Sequence, residues 1–318
     1  MECRICGNRD GNKIYTAREM MFGFRDEFDY FECTACGCLQ IKEIPTDMSK
    51  YYPEDYYRLR AKHPEHRFIK DNLLKMREDF ALLDKDFIGR MIFSIFPVQT
   101  LRLPSAYRLT KRWRVLDVGC GVGLLAHRLK NAGFENVMGV DPYIKSDIKY
   151  KNGLVIRKRE LGDIEGCWDL IMFHHSLEHI PDQQGTLNAV STKLNKGAIC
   201  LIRIPTVSSY AWQHYRTNWV QLDAPRHFYL HSEKSIAVAA EKAGLKIINS
   251  CRDSWDFQFW GSEQYIKNIP LKSQNSYSRA PKRSMFSKED ISSFTKKARE
   301  LNELNMGDQA IFYLAHND

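Results

Sequence analysis

The chain has 318 residues, 43% apolar and 27% charged, with 47 basic and 39 acidic side chains and a net charge of +8. That balance excludes a disordered or fibrous protein and fits one large domain plus a smaller one, while the mild positive excess permits an anionic substrate without requiring a nucleic acid. Nine cysteines, an odd number with no signal-like segment before them, speak against a secreted disulfide framework. No run approaches the roughly 18 consecutive apolar residues of a membrane helix, so the expectation is a cytoplasmic chain with reduced thiols.

In chain order, Cys3-x2-Cys6 and Cys33-x2-Cys36 are separated by 26 residues, and each pair is followed by a glycine, Gly7 and Gly37. A thiolate pair two residues apart binds one tetrahedral metal from a tight turn. Two such turns complete a closed four-sulfur shell suited to structural zinc. Tyr15, Phe22, Phe24, Phe28, Tyr30 and Phe31 offer strand residues to pack behind the metal. Unligated thiols or a redox pair are the alternative, and Cys38 is a fifth thiol outside the pattern. The 7 basic and 9 acidic side chains of residues 1–50 count against a nucleic-acid finger.

Residues 51–112 open with a turn-like run, Tyr51-Tyr52-Pro53-Glu54-Asp55-Tyr56-Tyr57. Ile69, Leu73, Met76, Phe80, Leu83 and Phe87 then recur at alternating spacings of 4 and 3, one apolar face of an amphipathic helix. The apolar stretch Met91–Leu103 is expected to pack over the next domain, with peripheral docking on a membrane-borne substrate as the alternative.

Val115–Val118 reads as a short buried strand, followed at once by Gly119-Cys120-Gly121-Val122-Gly123 and a helical pattern from Leu124. A glycine loop between strand and helix lets the backbone approach a ligand at the positive end of the helix dipole. Val137–Val140 is the next strand and ends in Asp141, 22 residues after Gly119, where a carboxylate can accept both ribose hydroxyls of an adenosine.

Beyond Pro205 the alternation of strand and helix stops. Trp212, His214, Tyr215, Trp219 and the run Leu222-Asp223-Ala224-Pro225-Arg226-His227-Phe228-Tyr229 suit either a pocket for a polar or anionic group or an aromatic minicore. Ser232 starts a helix ended by Gly244, Leu245–Asn249 is a strand, and Trp255–Pro270 is another cover element. Ser287-Lys288-Glu289-Asp290 opens a helix to about Asn305, and Ala310–Leu314 is the last strand.

The segment LDVGCGVG, with Asp117 two residues before the first glycine, closely resembles the first motif of class I S-adenosylmethionine-dependent methyltransferases. Trp168–Phe173 is similar to that family's fourth strand, and Asn195-Lys196-Gly197-Ala198 followed by Ile199–Ile204 to its turn and fifth strand, although Ala198 replaces a glycine. The resemblance implies an α/β fold, a Rossmann-like seven-stranded methyltransferase sheet. It further implies cofactor binding by Asp117, Gly119, Cys120, Gly121, Gly123, Asp141, Leu161, Phe173 and His174. The two CxxCG pairs, YYPEDYY, His175-Ser176-Leu177-Glu178-His179, LDAPRHFYLHS and Gly307-Asp308-Gln309-Ala310 resemble the subgroup with an N-terminal zinc ribbon found in sugar and glycan tailoring. The expected domains are a zinc ribbon at 1–50, a helical connector at 51–112 and a methyltransferase domain at 113–318, with cover insertions at about 205–232 and 252–285.

Sugar C-methyltransferases of that subgroup carry a Tyr-His-Glu-His signature where this chain reads Arg226-His227-Phe228-Tyr229. Without that carboxylate, methylation of a sugar hydroxyl is favoured over abstraction of a C–H proton. The acceptor expected is a small molecule, sugar-linked or anionic. A hydroxyl nucleophile needs a general base, worth about 10²–10⁴-fold, and histidine suits it near neutral pH. His227 is the expected base, with His179 and then His175 behind it. His175, Glu178 and His179 could suggest a catalytic metal, but with no third partner apparent a hydrogen-bonded histidine pair is favoured. An RNA methyltransferase with a zinc module is the main alternative, disfavoured by scattered charge, and a non-catalytic cofactor-binding module is another.

Overall fold

Antiparallel pairing of Lys13–Arg18 (β1) with Glu27–Glu32 (β2) sets Lys13 opposite Glu32 and Arg18 opposite Glu27, so unlike charges face each other at both ends of the ladder. Leu39–Ile41 (β3) joins β2 antiparallel and is buried along its whole length, against Tyr30 and Phe31 of β2. The computed structural model describes residues 1–53, 73, 75–77, 80, 87–95 and 110–317. They fall into two units, one of Met1–Tyr52, His175–Ser191 and Leu201–Asp318, the other of Pro53–His174 and Thr192–Cys200.

In the second unit, Leu73, Lys75–Arg77 and Phe80 are helical, and Phe87–Ile95 forms α1. Of the apolar face expected through this region, Phe80 packs on Phe93 with ring centroids 5.4 Å apart and the rings tilted by 59°, whereas Phe87, Met91 and Ile95 are exposed, Phe87 to 75%. Gly89 lies so close to the Met76 carbonyl that a Cβ there would overlap it. Ile69, Leu83, residues 54–57 and the apolar residues 96–103 lie outside the described residues.

The same unit carries the strand–loop–helix. Arg114–Val118 (β4), buried on both faces as a central parallel strand requires, is followed by Leu124–Asn131 (α2) and Asn136–Val140 (β5). Ile148–Lys149 (β6), Val155–Arg157 (β7) and Trp168–His174 (β8) complete the run. β4 pairs in parallel with β5 and β8, β5 in parallel with β7, and β6 closes on β7 antiparallel. Gln183–Lys193 (α3) leads into Leu194–Pro205 (β9). β9 begins before the turn expected at Asn195–Ala198, because Asn195 is held to Asp169 Oδ1 at 2.7 Å by its side-chain amide.

In the first unit, Tyr210–Tyr215 (α4), Tyr229–Leu230 (β10), Glu233–Lys242 (α5) and Leu245–Arg252 (β11) precede Phe257–Ile266 (α6), Lys288–Glu303 (α7) and Gln309–His316 (β12). Ser232 and Ser287 both form the capping boxes that start α5 and α7. β11 and β12 pair antiparallel. The larger sheet is mixed, in the order β11-β12-β9-β8-β4-β5-β7-β6, so the seven strands expected gain a two-residue eighth, β6. The smaller sheet is β1-β2-β3-β10: Tyr229 and Leu230, 189 residues beyond Gln40, add a fourth strand to the N-terminal three. Gly37 sits at φ +74 with Ser232 so near that a Cβ would meet its side chain at 3.2 Å, which explains a glycine after the second cysteine pair. Trp212 and Trp219 are fully buried, and the Trp219 indole N–H donates to Asp308 at 2.9 Å, so these aromatics belong to the core.

Candidate active site

Because β5, β4 and β8 are parallel neighbours, their carboxyl ends lie side by side, and the residues following them form one edge. β4 runs into the glycine loop, β5 into Asp141, and β8 ends on Phe173 and His174. Gly119, Gly121 and Gly123 adopt φ of +68, +58 and +75. Gly119 N donates to the Val140 carbonyl at 2.8 Å, tying the loop to β5. Asp141 organises the loop further, its two oxygens accepting from Gly121 N and Tyr143 N, each at 2.8 Å. No heavy atom lies within 4 Å of where a Gly121 Cβ would be, so the backbone there borders open space in which a ligand can approach. Asp117 is buried beneath the loop, and desolvation together with the neighbouring Asp141 charge pushes its carboxyl up to about 7. Leu161, buried, opens a short 3-10 turn after β7, beside β5. Cys120 is packed inward against Gly139, where its thiol is raised by burial and by the two carboxylates.

In the first unit, His175, Glu178, His179 and His227 come together. The segment after β8 is not an α-helix: His175 sits at φ +51, and Leu177–His179 is a single 3-10 turn. His179 Nδ1 lies 2.8 Å from the Arg226 carbonyl and His227 Nδ1 2.7 Å from the Gln221 carbonyl. A carbonyl only accepts, so both Nδ1 atoms carry a proton and Nε2 is the atom of each ring left for another partner. The two rings stand 4.8 Å apart, centroid to centroid. Burial pulls His179 down to about 4, keeping it neutral. Glu178 is fully buried, and His175 Nδ1 faces its Oε1 at 3.4 Å. Burial works against its charge, but the opposing effects, led by the hydrogen bond from His175, outweigh it and hold the carboxyl at about 2.

The side chains flanking this cluster are locked. Arg226, itself fully buried, donates to Asp223 at 2.6 and 3.0 Å and to Glu19 at 2.9 Å, and its guanidinium lies over the Phe22 ring. Glu19 in turn accepts from the amides of Phe22, Gly23 and Phe24 at 2.9–3.0 Å.

The four thiols of Cys3, Cys6, Cys33 and Cys36 lie within 4.8 Å of one another. Cys3 and Cys36 are 3.6 Å apart and Cys6 and Cys33 3.5 Å, close to the roughly 3.8 Å edge of a tetrahedron with Zn–S bonds of about 2.3 Å. The Gln40 amide donates to Cys3 Sγ at 3.1 Å, as the outer partners of a metal thiolate do. The four sulfurs therefore fit zinc. Cys38, buried, stands outside this set.

A family model for the methyltransferase domain matches residues 61–250. This chain belongs to the S-adenosylmethionine-dependent methyltransferases. It is 28% identical over 152 residues to a ubiquinone biosynthesis O-methyltransferase of Bordetella avium, covering 42% of this chain and 62% of that protein, so the match spans about three fifths of the relative's length. Among solved structures it is similar to an S-adenosylmethionine-dependent methyltransferase from Mesorhizobium loti, with 14% identity, TM-score 0.41, and coverage of 65% of this chain and 93% of that one. It is also similar to a magnesium protoporphyrin IX methyltransferase from Synechocystis, with 14% identity, TM-score 0.38, and coverage of 64% and 90%.

In this methyltransferase the expected cofactor residues gather in the second unit. Asp117, Gly119, Cys120, Gly121, Gly123, Asp141, Phe173 and His174 lie at the carboxyl ends of three adjacent strands, and Leu161 lies after the next. The exposed backbone at Gly121 and the carboxylates of Asp117 and Asp141 fit a cofactor bearing ribose hydroxyls and positive charge. His175, His179 and His227 gather in the first unit. Sequence reasoning missed Glu19 and the Arg226–Asp223 pair as the frame of the histidine cluster. The spacing of Asp223 and Arg226, three residues apart across a turn, was the only local signal.

Proposed function

We propose that the protein transfers a methyl group from S-adenosylmethionine to a hydroxyl of a sugar, nucleotide-linked sugar or glycan precursor. The observation that carries the choice of oxygen is the pair of imidazoles, His179 and His227, each pinned through Nδ1 to a carbonyl, an arrangement that leaves Nε2 as the atom to take a proton. The O-methyltransferase name of the Bordetella relative supports an oxygen acceptor. The sugar assignment rests on the likeness of the cysteine pairs and the LDAPRHFYLHS segment to glycan-tailoring methyltransferases.

When bound, the cofactor supplies a methyl already activated on a cationic sulfonium. The glycine loop and Asp141 hold it, and Asp117 contributes negative charge beneath the loop. His227 takes the proton that the acceptor hydroxyl loses as its oxygen attacks, with His179 as its neighbour. Residues 1–50 act as a zinc ribbon held by Cys3, Cys6, Cys33 and Cys36, residues 51–112 as a connector, and residues 113–318 as the methyltransferase domain. The test is a panel of nucleotide sugars, glycan precursors and phenols with methyl-labelled S-adenosylmethionine, read by mass. A labelled O-methyl sugar is expected. Label only on phenols, on carbon or on RNA overturns the assignment.

A further inference from the structure

We propose that Glu178, His179 and His227 bind one divalent transition-metal cation, separate from the four-cysteine site. One ligand atom from each of the three, two imidazole nitrogens and a carboxylate oxygen, lies within 4.8 Å of the others. Around one ion with bonds of about 2.1 Å, ligand atoms stand no more than about 4.2 Å apart, so side-chain motions of less than an ångström close the set.

The hydrogen bonds argue the same way. His179 gives its Nδ1 proton to the Arg226 carbonyl and His227 to the Gln221 carbonyl. This is the outer support that metal-binding histidines require, since it fixes the tautomer with Nε2 free to ligate. Glu178 brings two fully buried oxygens, with His175 Nδ1 3.4 Å from Oε1. Two imidazoles, each with Nδ1 already on a carbonyl, and a buried carboxylate thus converge, and such a convergence of ligand atoms is what a cation would neutralise. The nearest permanent cation, Arg226, is already engaged by Asp223 and Glu19, and Asp223 Oδ2 is 3.9 Å from His227 Nε2.

Two imidazoles and one carboxylate suit manganese, iron, cobalt or zinc over calcium or magnesium. Three protein ligands leave coordination positions open, and His175 and His179 are only partly buried, which gives access. The inference rests on the reading above for its role and changes one part of it: with the cation on both Nε2 atoms, an acceptor hydroxyl bound at an open position would be acidified by coordination and its proton would pass to solvent water instead of to His227.

The experiment uses the full chain carrying one equivalent of zinc, titrated with Mn2+ and followed by the electron paramagnetic resonance of the free ion. One Mn2+ per chain is expected to bind, with Glu178→Gln and His227→Gln each weakening it at least about tenfold. Retained zinc content and circular dichroism show that the variants fold, and a third variant, His179→Gln, covers a failure of either. His214→Gln, remote from the cluster, is expected to bind as the parent does. The proposal is overturned if the parent chain takes up no Mn2+, Co2+ or second Zn2+, or if uptake survives all three substitutions. Binding is read without acceptor or cofactor, so failure of the methyl-acceptor assignment leaves its outcome intact.

Discussion

Asp117 is expected to tie cofactor binding to protons. Its carboxyl ionises at about 7 in the folded chain against an ordinary 3.8, because burial and Asp141 both oppose its charge. A carboxyl raised on folding subtracts stability as soon as the unfolded chain ionises it. The loss begins near pH 3.8, grows to about pH 7 and is constant beyond, at about 1.4 kcal/mol per unit, or at most ~4 kcal/mol. A cofactor carrying a sulfonium and an ammonium favours the ionised form and draws the value back down. Each unit of that fall strengthens binding about tenfold, so the dissociation constant is expected to drop as pH rises toward about 7 and to level above it. Calorimetry in buffers of different ionisation enthalpy should detect release of up to about one proton per cofactor near pH 6 and almost none near pH 8. Asp117→Asn should bind more weakly and lose both dependences. Affinity that is flat across that range, with no buffer dependence in the parent protein, would refute the electrostatic role given to Asp117.

Gly121→Ala should cost about 1–2 kcal/mol in strain at φ +58 yet weaken cofactor binding at least about tenfold, because its methyl enters the open space beside the loop; calorimetry and thermal melts separate the two effects. Gly139→Ala places a Cβ 2.5 Å from the Cys120 sulfur and should lower stability by about 1–3 kcal/mol in a urea titration. Glu19→Ala leaves the Arg226 guanidinium buried with one partner fewer and should destabilise by about 3–5 kcal/mol, whereas Glu19→Ala with Arg226→Met should recover part of that loss. His227→Ala should lower turnover by about 10²–10⁴-fold once the acceptor is known, and near-parental turnover would remove it as the base.

The strand, glycine loop and helix around Gly119 were legible because each step is local: a buried run, three glycines, then helical spacing. The capping boxes at Ser232 and Ser287 and the cysteine quartet were legible for the same reason, since a few neighbouring residues specify each. What escaped depends on partners distant in sequence. Nothing near Glu19 announces Arg226, and nothing in Leu39-Gln40-Ile41 announces Tyr229-Leu230. In the connector, helical spacing put Phe87 on the apolar face, but Phe87 is exposed and the close approach to Met76 is made by Gly89, a contact between residues distant in sequence. At the histidines, spacing offered two partners on an imagined helix. The backbone instead makes a tight turn, and the third partner arrives from residue 227.

One small sheet is shared by residues 13–41 and residues 229–230, which sets an order for synthesis. Tyr229 is made 189 residues after Gln40, its partner in β3, so the outer edge of β3 waits that long to be covered. Throughout that interval the nascent chain displays one open edge of the buried-type strand Leu39-Gln40-Ile41, whose other edge pairs with β2. Truncated chains that stop short of residue 229 would carry that edge permanently, so fragments, rather than the finished protein, are where self-association is to be sought.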